Sequence, residues 1–532
     1  MITDTVSNSA SHSSGPFVGC VVSSSTYVKC MPSSPPPCLL GVIMNAKRNK
    51  QIWFLAAAMI LVLLLVPGYL QAIEMPNIER YVLDNGMTFL LLPRVSSSVS
   101  FEVRVKVGSI DEHTGKTGLS HMLEHMMFKG TRTIGTRDFQ KEKQLLDEMD
   151  VIAEKLKTAT PQDSKNLNDK MAGLIKEASA LQIPGELDRL YSLAGGTGLN
   201  ASTSADLTSY HVTLPKGRIE FWAAIESERM REPVFREFYA EKDVVLKERS
   251  QRIDLSDEGT LFEKFLLHSF EASPYRYPII GFRNDIEGLT RNDLQDYYFE
   301  HYIPRNMVVA IVGGFDPEET KKVLAKYFGG IPNRGRTESI ALDEPLRRAK
   351  IKIKISSKEQ PSIFMGIQKP KLPSIDDTCF DVIEQVLTGG ETSRLVKALV
   401  KKGLASDVST YNGLPGSRLD NLFIISANPV KPNTNQALED IIFKEIDLLK
   451  KDGITKEELD QTVRVLKKSI LSSLETDAGA ASVLSTYEIL AGDWKYVFKN
   501  LEVLQGLSSE QIKECAGKYL VRENATTAYL EN

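Results

Sequence analysis

His121, Glu124 and His125 form an HxxEH stretch in a chain with 7 histidines in all. On a helix, positions i and i+4 share a face one turn apart, so both imidazoles can hold one ion while Glu124 projects beside it. Imidazole pairs suit zinc, and a third protein ligand leaves the fourth position of a tetrahedral ion open to water, the layout of a hydrolytic site. A carboxylate next to that position can act as general base. Lone histidines are usually structural or solvated, but a cluster of this composition is better read as a metal site.

The third ligand should be a carboxylate or a histidine on another element. Glu241-Lys242-Asp243-Val244-Val245-Leu246-Lys247-Glu248 reads as a helix, with Glu241 and Glu248 on one side of it. They lie about 10 Å apart along the axis, so only one of them can reach the ion. The other can accept a hydrogen bond from the free N–H of a ligating imidazole. Taken alone, this stretch is better explained as a solvated acidic face.

These residues need a scaffold. Tyr81 to Leu92 sets Asn85-Gly86 between two strand-like runs, a strong hairpin signal, and Ser100 to Val107 alternates as a further strand ending at Gly108. A sheet therefore leads into the histidine motif. Residues 137–187 carry Lys, Glu, Leu and Met at helical spacing, with a break at Thr158 to Pro161, where Thr160 can cap a helix and Pro161 can open it. The expected helical hairpin sets Leu145, Leu146, Met149, Ile152 and Leu156 against Leu167, Met171, Leu174 and Ile175, and nothing in it is chemically specific. Residues 289–312 overlay residues 507–530 without gaps, matching Leu289 with Leu507, Leu294 with Ile512, Asn306 with Asn524 and Ala310 with Ala528. Each copy reads as a helix followed by a strand, at an offset that suits a duplicated domain rather than a solenoid.

The expected fold class is α+β: two tandem homologous domains, each a mixed sheet covered by helices, with a helical-hairpin insertion in the first. The first domain spans 76–332 with the insertion at 137–187, a linker covers 333–348, and the second domain spans 349–532.

The 532 residues are 42% hydrophobic and 25% charged, ordinary globular composition and too long for one core. A net charge of -4 from 65 basic and 69 acidic residues leaves no field of one sign, which argues against nucleic acid as a partner. Of 5 cysteines, Cys20, Cys30 and Cys38 fall in a Ser/Pro-rich opening that reads as disordered. Cys379 and Cys515 read as two buried thiols, with a single bridge as the alternative. Lys47, Arg48 and Lys50 precede an apolar run from Ile52 to Val66, broken by Pro67-Gly68, with Ala72 beyond. Residues 44–72 thus read as a secretory signal, and residues 1–43 as disordered or an over-extended start. The expectation is export to a periplasmic or extracellular location; retention by 52–66 as a membrane anchor is the alternative.

HxxEH preceded by Gly108-Ser109 and Gly118-Leu119-Ser120 and followed by Met127-Phe128-Lys129-Gly130-Thr131 resembles the inverted-motif zinc peptidases of the pitrilysin or insulinase family. Gly195-Gly196, Asn200-Ala201-Ser202-Thr203, the helix with Glu241 and Glu248, Pro278-Ile279-Ile280-Gly281, and Gly389-Gly390 with Ser393-Arg394-Leu395 extend the resemblance. It implies one zinc per chain on His121, His125 and Glu248, with Glu124 as general base and Glu241 supporting the catalytic site through a ligating histidine. It also implies an edge strand at Asn200, Ala201 and Ser202 that pairs with an extended peptide or an unfolded protein segment. The gap from His125 to Glu248 exceeds that of compact relatives, and the 137–187 insertion accounts for the excess.

One departure stands out. Relatives present an Arg and a Tyr in the second domain to grip substrate, and the corresponding positions here are Leu399 and Ser406. The resemblance therefore points to a dimer, with a second copy or with a related subunit that carries the Arg/Tyr pair. A non-enzymatic or partner-dependent zinc-bearing subunit is the rival to an active endopeptidase.

Overall fold

A computed structural model describes residues 77–335, 342, 344–345 and 349–531. The targeting segment, Cys20, Cys30, Cys38 and most of the expected linker lie outside the described residues. Among those described, no helix is long and apolar enough to cross a membrane.

The first half builds β1 (Glu79–Val82), β2 (Thr88–Pro93), β3 (Ser98–Val105), β4 (Thr197–Thr203), β5 (Thr208–Pro215) and β6 (Met307–Gly313). The second builds β7 (Ile351–Ser356), β8 (Ser362–Lys369), β9 (Ala405–Leu414), β10 (Asn421–Pro429) and β11 (Thr526–Glu531). The first sheet has 6 strands in the order β1-β2-β6-β3-β5-β4, and the second has 5 in the order β7-β11-β8-β10-β9. In each, the parallel pair is the one formed with the strand that closes the half, β2 with β6 and β7 with β11. Dropping β1 superimposes the two orders strand for strand, so the duplication extends from the matched helix and strand to a shared topology. The Asn85-Gly86 turn joins β1 to β2 as an antiparallel hairpin, as the sequence predicts.

The helices that bear on the site are α1 (Leu119–Met126), α2 (Phe139–Leu156), α3 (Pro161–Leu181), α4 (Ile219–Arg231), α5 (Phe238–Arg249), α6 (Asp257–Ser269), α7 (Arg291–His301), α8 (Ile375–Thr388), α9 (Asp477–Leu490) and α10 (Ser509–Tyr519). One face of the first sheet packs on α1 and α4, where Phe101 stacks on Trp222 with ring centroids 4.4 Å apart. Burying side chains of this size stabilises the core by about 2–3 kcal/mol each.

The two halves exchange cover. Helix α6 belongs to the first half by sequence, yet Leu261, Phe265 and Leu266 pack on Phe364, Leu422, Ala528 and Leu530 of the second sheet. Gly366 makes room, because a β-carbon there would stand 2.6 Å from the Phe265 ring. In return, α9 from the second half lies on β3, where Arg104 donates to Ser485 Oγ at 2.9 Å and to Ser482 Oγ at 2.8 Å. A boundary at residue 332 thus separates the strands of the two sheets but not their helices. The start of the expected linker is pinned to the first half: Asn333 Nδ2 donates to the Asn85 carbonyl, and its Oδ1 accepts from the Arg305 amide at 3.4 Å.

The hairpin α2/α3 forms where the sequence places it. Thr160 accepts from the Asp163 amide at 3.3 Å and Pro161 opens α3. Leu146, Met149 and Ile152 meet Met171 and Leu174, and the cluster continues onto Val234 and onto Tyr239 in the first turn of α5. The hairpin is therefore part of the support under the helix that carries Glu241 and Glu248.

Candidate metal centre

Helix α1 turns Leu119, Met122, Leu123 and Met126 into the core, which leaves His121, Glu124 and His125 on the opposite face. Its first turn is anchored by Glu112, a fully buried carboxylate that accepts from the Gly118 and Ser120 amides, both at 2.7 Å. Burial pushes that carboxyl up to about 8, while the two backbone N–H bonds pull it back. Gly118 has φ of 91°, a left-handed conformation that favours glycine, and the Pro278 to Gly281 turn packs against it so closely that a β-carbon would meet the Ile280 carbonyl at 2.6 Å.

Helix α5 crosses α1 and presents both acidic candidates. Glu248 Oε2 stands 3.7 Å from His121 Nε2 and 3.7 Å from His125 Nε2. Ligands about 2.1 Å from a tetrahedral ion stand roughly 3.4 Å from one another, so these spacings fit a zinc-sized cation with little adjustment. Among the described residues, these three are the group of His, Cys, Asp and Glu side chains that converges in this way. The other Glu248 oxygen is held by Arg252 at 2.6 Å, which leaves Oε2 directed at the histidines.

Glu241, two turns earlier, points elsewhere. Its Oε1 lies 2.8 Å from His125 Nδ1, and its Oε2 lies 2.7 Å from Lys129 Nζ. The His125 hydrogen bond, with Lys129, holds its carboxyl down to about 2. This choice between the two glutamates, open in the spacing alone, follows from the angle at which α5 meets α1. Burial, and then His125 and Arg252, lower the His121 imidazole to about 3, so it stays neutral and able to donate a lone pair. Burial also works to lower that of His125, but the bond and charge of Glu241, with Glu124 and Glu248, outweigh it and raise the value. His121 Nδ1 is buried without a hydrogen-bond partner, in contrast to His125 Nδ1.

Glu124 sits between this cluster and the sheet. Its Oε2 accepts from Thr203 Oγ1 at 2.6 Å, and burial raises its carboxyl above the usual range. Thr203 ends β4, the outermost strand of the first sheet. Asn200, Ala201 and Ser202 pair with His211, Tyr210 and Ser209 of β5 on one side, and no strand of the sheet lies on the other. Asn200 and Ser202 are exposed and Ala201 is buried, the alternation of an edge strand.

Several contributors escaped the sequence. The loop after α1 wraps around the guanidinium of Arg236, which donates to the carbonyls of Thr131 at 2.6 Å, Ile134 at 3.0 Å and Lys129. Arg236 is in turn paired with Glu142 of α2 at 3.0 Å, and both side chains are inaccessible to solvent. The hairpin thus supports the loop whose Lys129 engages Glu241. Glu112, Glu142, Arg236 and Thr203 stand out by no spacing rule; Glu112 acts through the turn before α1, and the other three across long stretches of chain. In the second half, α8 takes the place of α1 and contains no histidine. Leu399 is buried and Ser406 hydrogen-bonds to Asp407, so neither presents a charged or aromatic group. Arg394 is committed to Glu458 at 2.7 Å.

Paired α+β halves with one His/His/Glu cluster beside a free sheet edge define the class of two-domain metallopeptidases, and comparison with known proteins agrees. The insulinase (peptidase family M16) model matches residues 92–155, and the peptidase M16 inactive domain matches residues 288–466. The zinc protease PqqE of Helicobacter pylori is 27% identical over 475 residues, covering 86% of this chain and 93% of the relative. A crystal structure of a protease from Helicobacter pylori superimposes with a TM-score of 0.73 at 24% identity, covering 86% of this chain and all of that one. The periplasmic protease PqqL of Escherichia coli shares the fold with a TM-score of 0.63 at 17% identity, covering 86% of this chain and 47% of that one. These matches support a zinc peptidase of the pitrilysin/insulinase family.

Proposed function

We propose that this chain is an exported zinc endopeptidase that hydrolyses extended peptides or unfolded protein segments, with one zinc held by His121, His125 and Glu248. The observation that carries the reading is the convergence of the two Nε2 atoms and Glu248 Oε2 at 3.7 Å, with Glu124 between that cluster and the free edge of β4. A zinc ion held by His121, His125 and Glu248 would supply the Lewis acidity that activates a water and polarises a peptide carbonyl. Glu124 takes the proton of the attacking water and returns it to the leaving amine. Burial raises its carboxyl above the usual range and so makes it a stronger proton acceptor than an exposed glutamate. Glu241 fixes the ring of His125 and makes Nε2 the ligating nitrogen. The outer edge of β4 at Asn200, Ala201 and Ser202 takes the substrate as an added strand, which sets the scissile bond beside Glu124. The basic and apolar segment 47–66 supports export.

The test compares wild type with Glu124→Gln on peptides and on an intact unfolded protein. Loss of at least 100-fold in kcat with zinc still bound is expected; equal activity would remove the reading.

Leu399 and Ser406 favour a second element, dimerisation with another copy or with a related subunit that supplies an Arg/Tyr grip. On that reading the chain alone turns over slowly, and the mixture with its partner is fast. Full activity of the isolated monomer would exclude it.

A further inference from the structure

We infer that Cys379 and Cys515 are a disulfide-forming pair that ties α10 to α8. They are the cysteines of the described residues; they lie on different helices far apart in sequence, and both are buried. The fold brings their thiols within hydrogen-bond reach of each other. Cys515 Sγ also approaches the Asp376 carbonyl, one turn before Cys379, at 3.8 Å.

The helices are fixed around this point by contacts on neighbouring turns. Lys518 Nζ lies 2.8 Å from Asp376 Oδ2, Tyr519 donates to the same oxygen at 2.6 Å, and the rings of Phe380 and Tyr519 lie 5.7 Å apart. These contacts, with the approach of Cys515 Sγ to the Asp376 carbonyl, hold the two buried thiols on facing turns of α8 and α10. The Asp376 carboxylate is occupied by Lys518 and Tyr519, and among the described residues no histidine joins the pair to make a metal cluster.

The step requires an oxidant, here a small-molecule disulfide such as oxidised glutathione. The thiolate of one cysteine attacks a sulfur of that disulfide and releases one glutathione thiol. The second cysteine then attacks the mixed disulfide and releases the other, so that two protein thiols are oxidised and one disulfide is reduced. The closed loop contains β9, β10 and the helices that follow them, most of the second half, so the cross-link restricts the unfolded chain strongly. It also secures the helix that leads into β11, on which α6 of the first half rests. The inference stands on the packing of α8 and α10 and does not depend on the catalytic reading.

The test uses the full chain, reduced, unfolded and refolded in a reduced/oxidised glutathione buffer, then digested without reduction and mapped by mass spectrometry. The expected result is a Cys379–Cys515 linked peptide pair as the dominant cross-link. A melting temperature about 5 °C or more above that of the same protein held in excess dithiothreitol should accompany it. In Cys515→Ala the difference between the two buffers disappears. Recovery of both cysteines as free thiols from folded protein, or their pairing with Cys20, Cys30 or Cys38 instead, would overturn the inference.

Discussion

Glu142→Gln removes the charge that faces Arg236 while keeping the shape of the side chain. The pair is sealed from solvent, at 0% and 1% side-chain exposure, and Arg236 retains its three carbonyl partners, so the variant leaves a guanidinium buried without its counter-ion. Breaking such a pair costs about 3 kcal/mol or more. Since each 1.4 kcal/mol is tenfold, the hairpin should open roughly 100-fold more often. Hydrogen exchange, in the regime where closing outruns exchange, reads this directly on the α2 amides around Leu146 and Met149. A control lies one turn along the same helix. Asp147 pairs with Lys143 at more than half exposure on both sides, where an ion pair contributes about 0.2–1 kcal/mol at most, and its 3.9 Å approach to Arg291 is secondary because Asp150 already pairs that guanidinium. Asp147→Asn should therefore change exchange by less than about fivefold. If Glu142→Gln behaves like Asp147→Asn, the hairpin is not keyed into the loop after α1 and the argument for its role fails.

Glu248→Gln should lose zinc affinity more severely than Glu241→Gln, because Glu248 Oε2 faces both Nε2 atoms while Glu241 acts through His125 Nδ1; metal content after dialysis against a weak chelator should rank the variants in that order. Stripping the metal from wild type should lower the melting temperature, and added zinc should restore it in a concentration-dependent way, an effect much reduced in Glu248→Gln. In the second half, burial and the neighbouring carboxylates raise Asp381 and Glu384 to about 7 each. Both bind their protons more tightly in the folded state, so this contribution to stability is complete below about pH 4 and is lost as pH rises through about 7. Asp381→Asn can still accept from Asn412 Nδ2 and carries no charge, so its melting curve should flatten across that window and gain on wild type at pH 8; parallel curves would contradict the assignment.

The local chemistry of the site was legible in the sequence because it follows from periodicity. His121, Glu124 and His125 share a face by helical spacing alone, and the hairpin turn at Asn85-Gly86, the cap at Thr160 and the facing apolar rows of α2 and α3 are all short-range features. The duplication was legible because a helix and a strand recur in register, and β6 and β11 occupy matching places in their sheets.

What the sequence left open depends on how distant elements meet. Two glutamates on one side of α5 are equivalent by spacing, and only the crossing of α5 over α1 sends Glu248 to the Nε2 atoms and Glu241 to Nδ1. The hairpin looked chemically silent because Glu142 acquires meaning only once Arg236 is buried against it. Likewise, the exchange of α6 and α9 between the halves is invisible in periodicity, since each helix is amphipathic whichever sheet it covers. Spacing along the chain thus determined which residues can act together within an element. Tertiary packing decided which of them do, because metal geometry and buried ion pairs depend on separations of a few ångströms between elements that sequence distance does not encode.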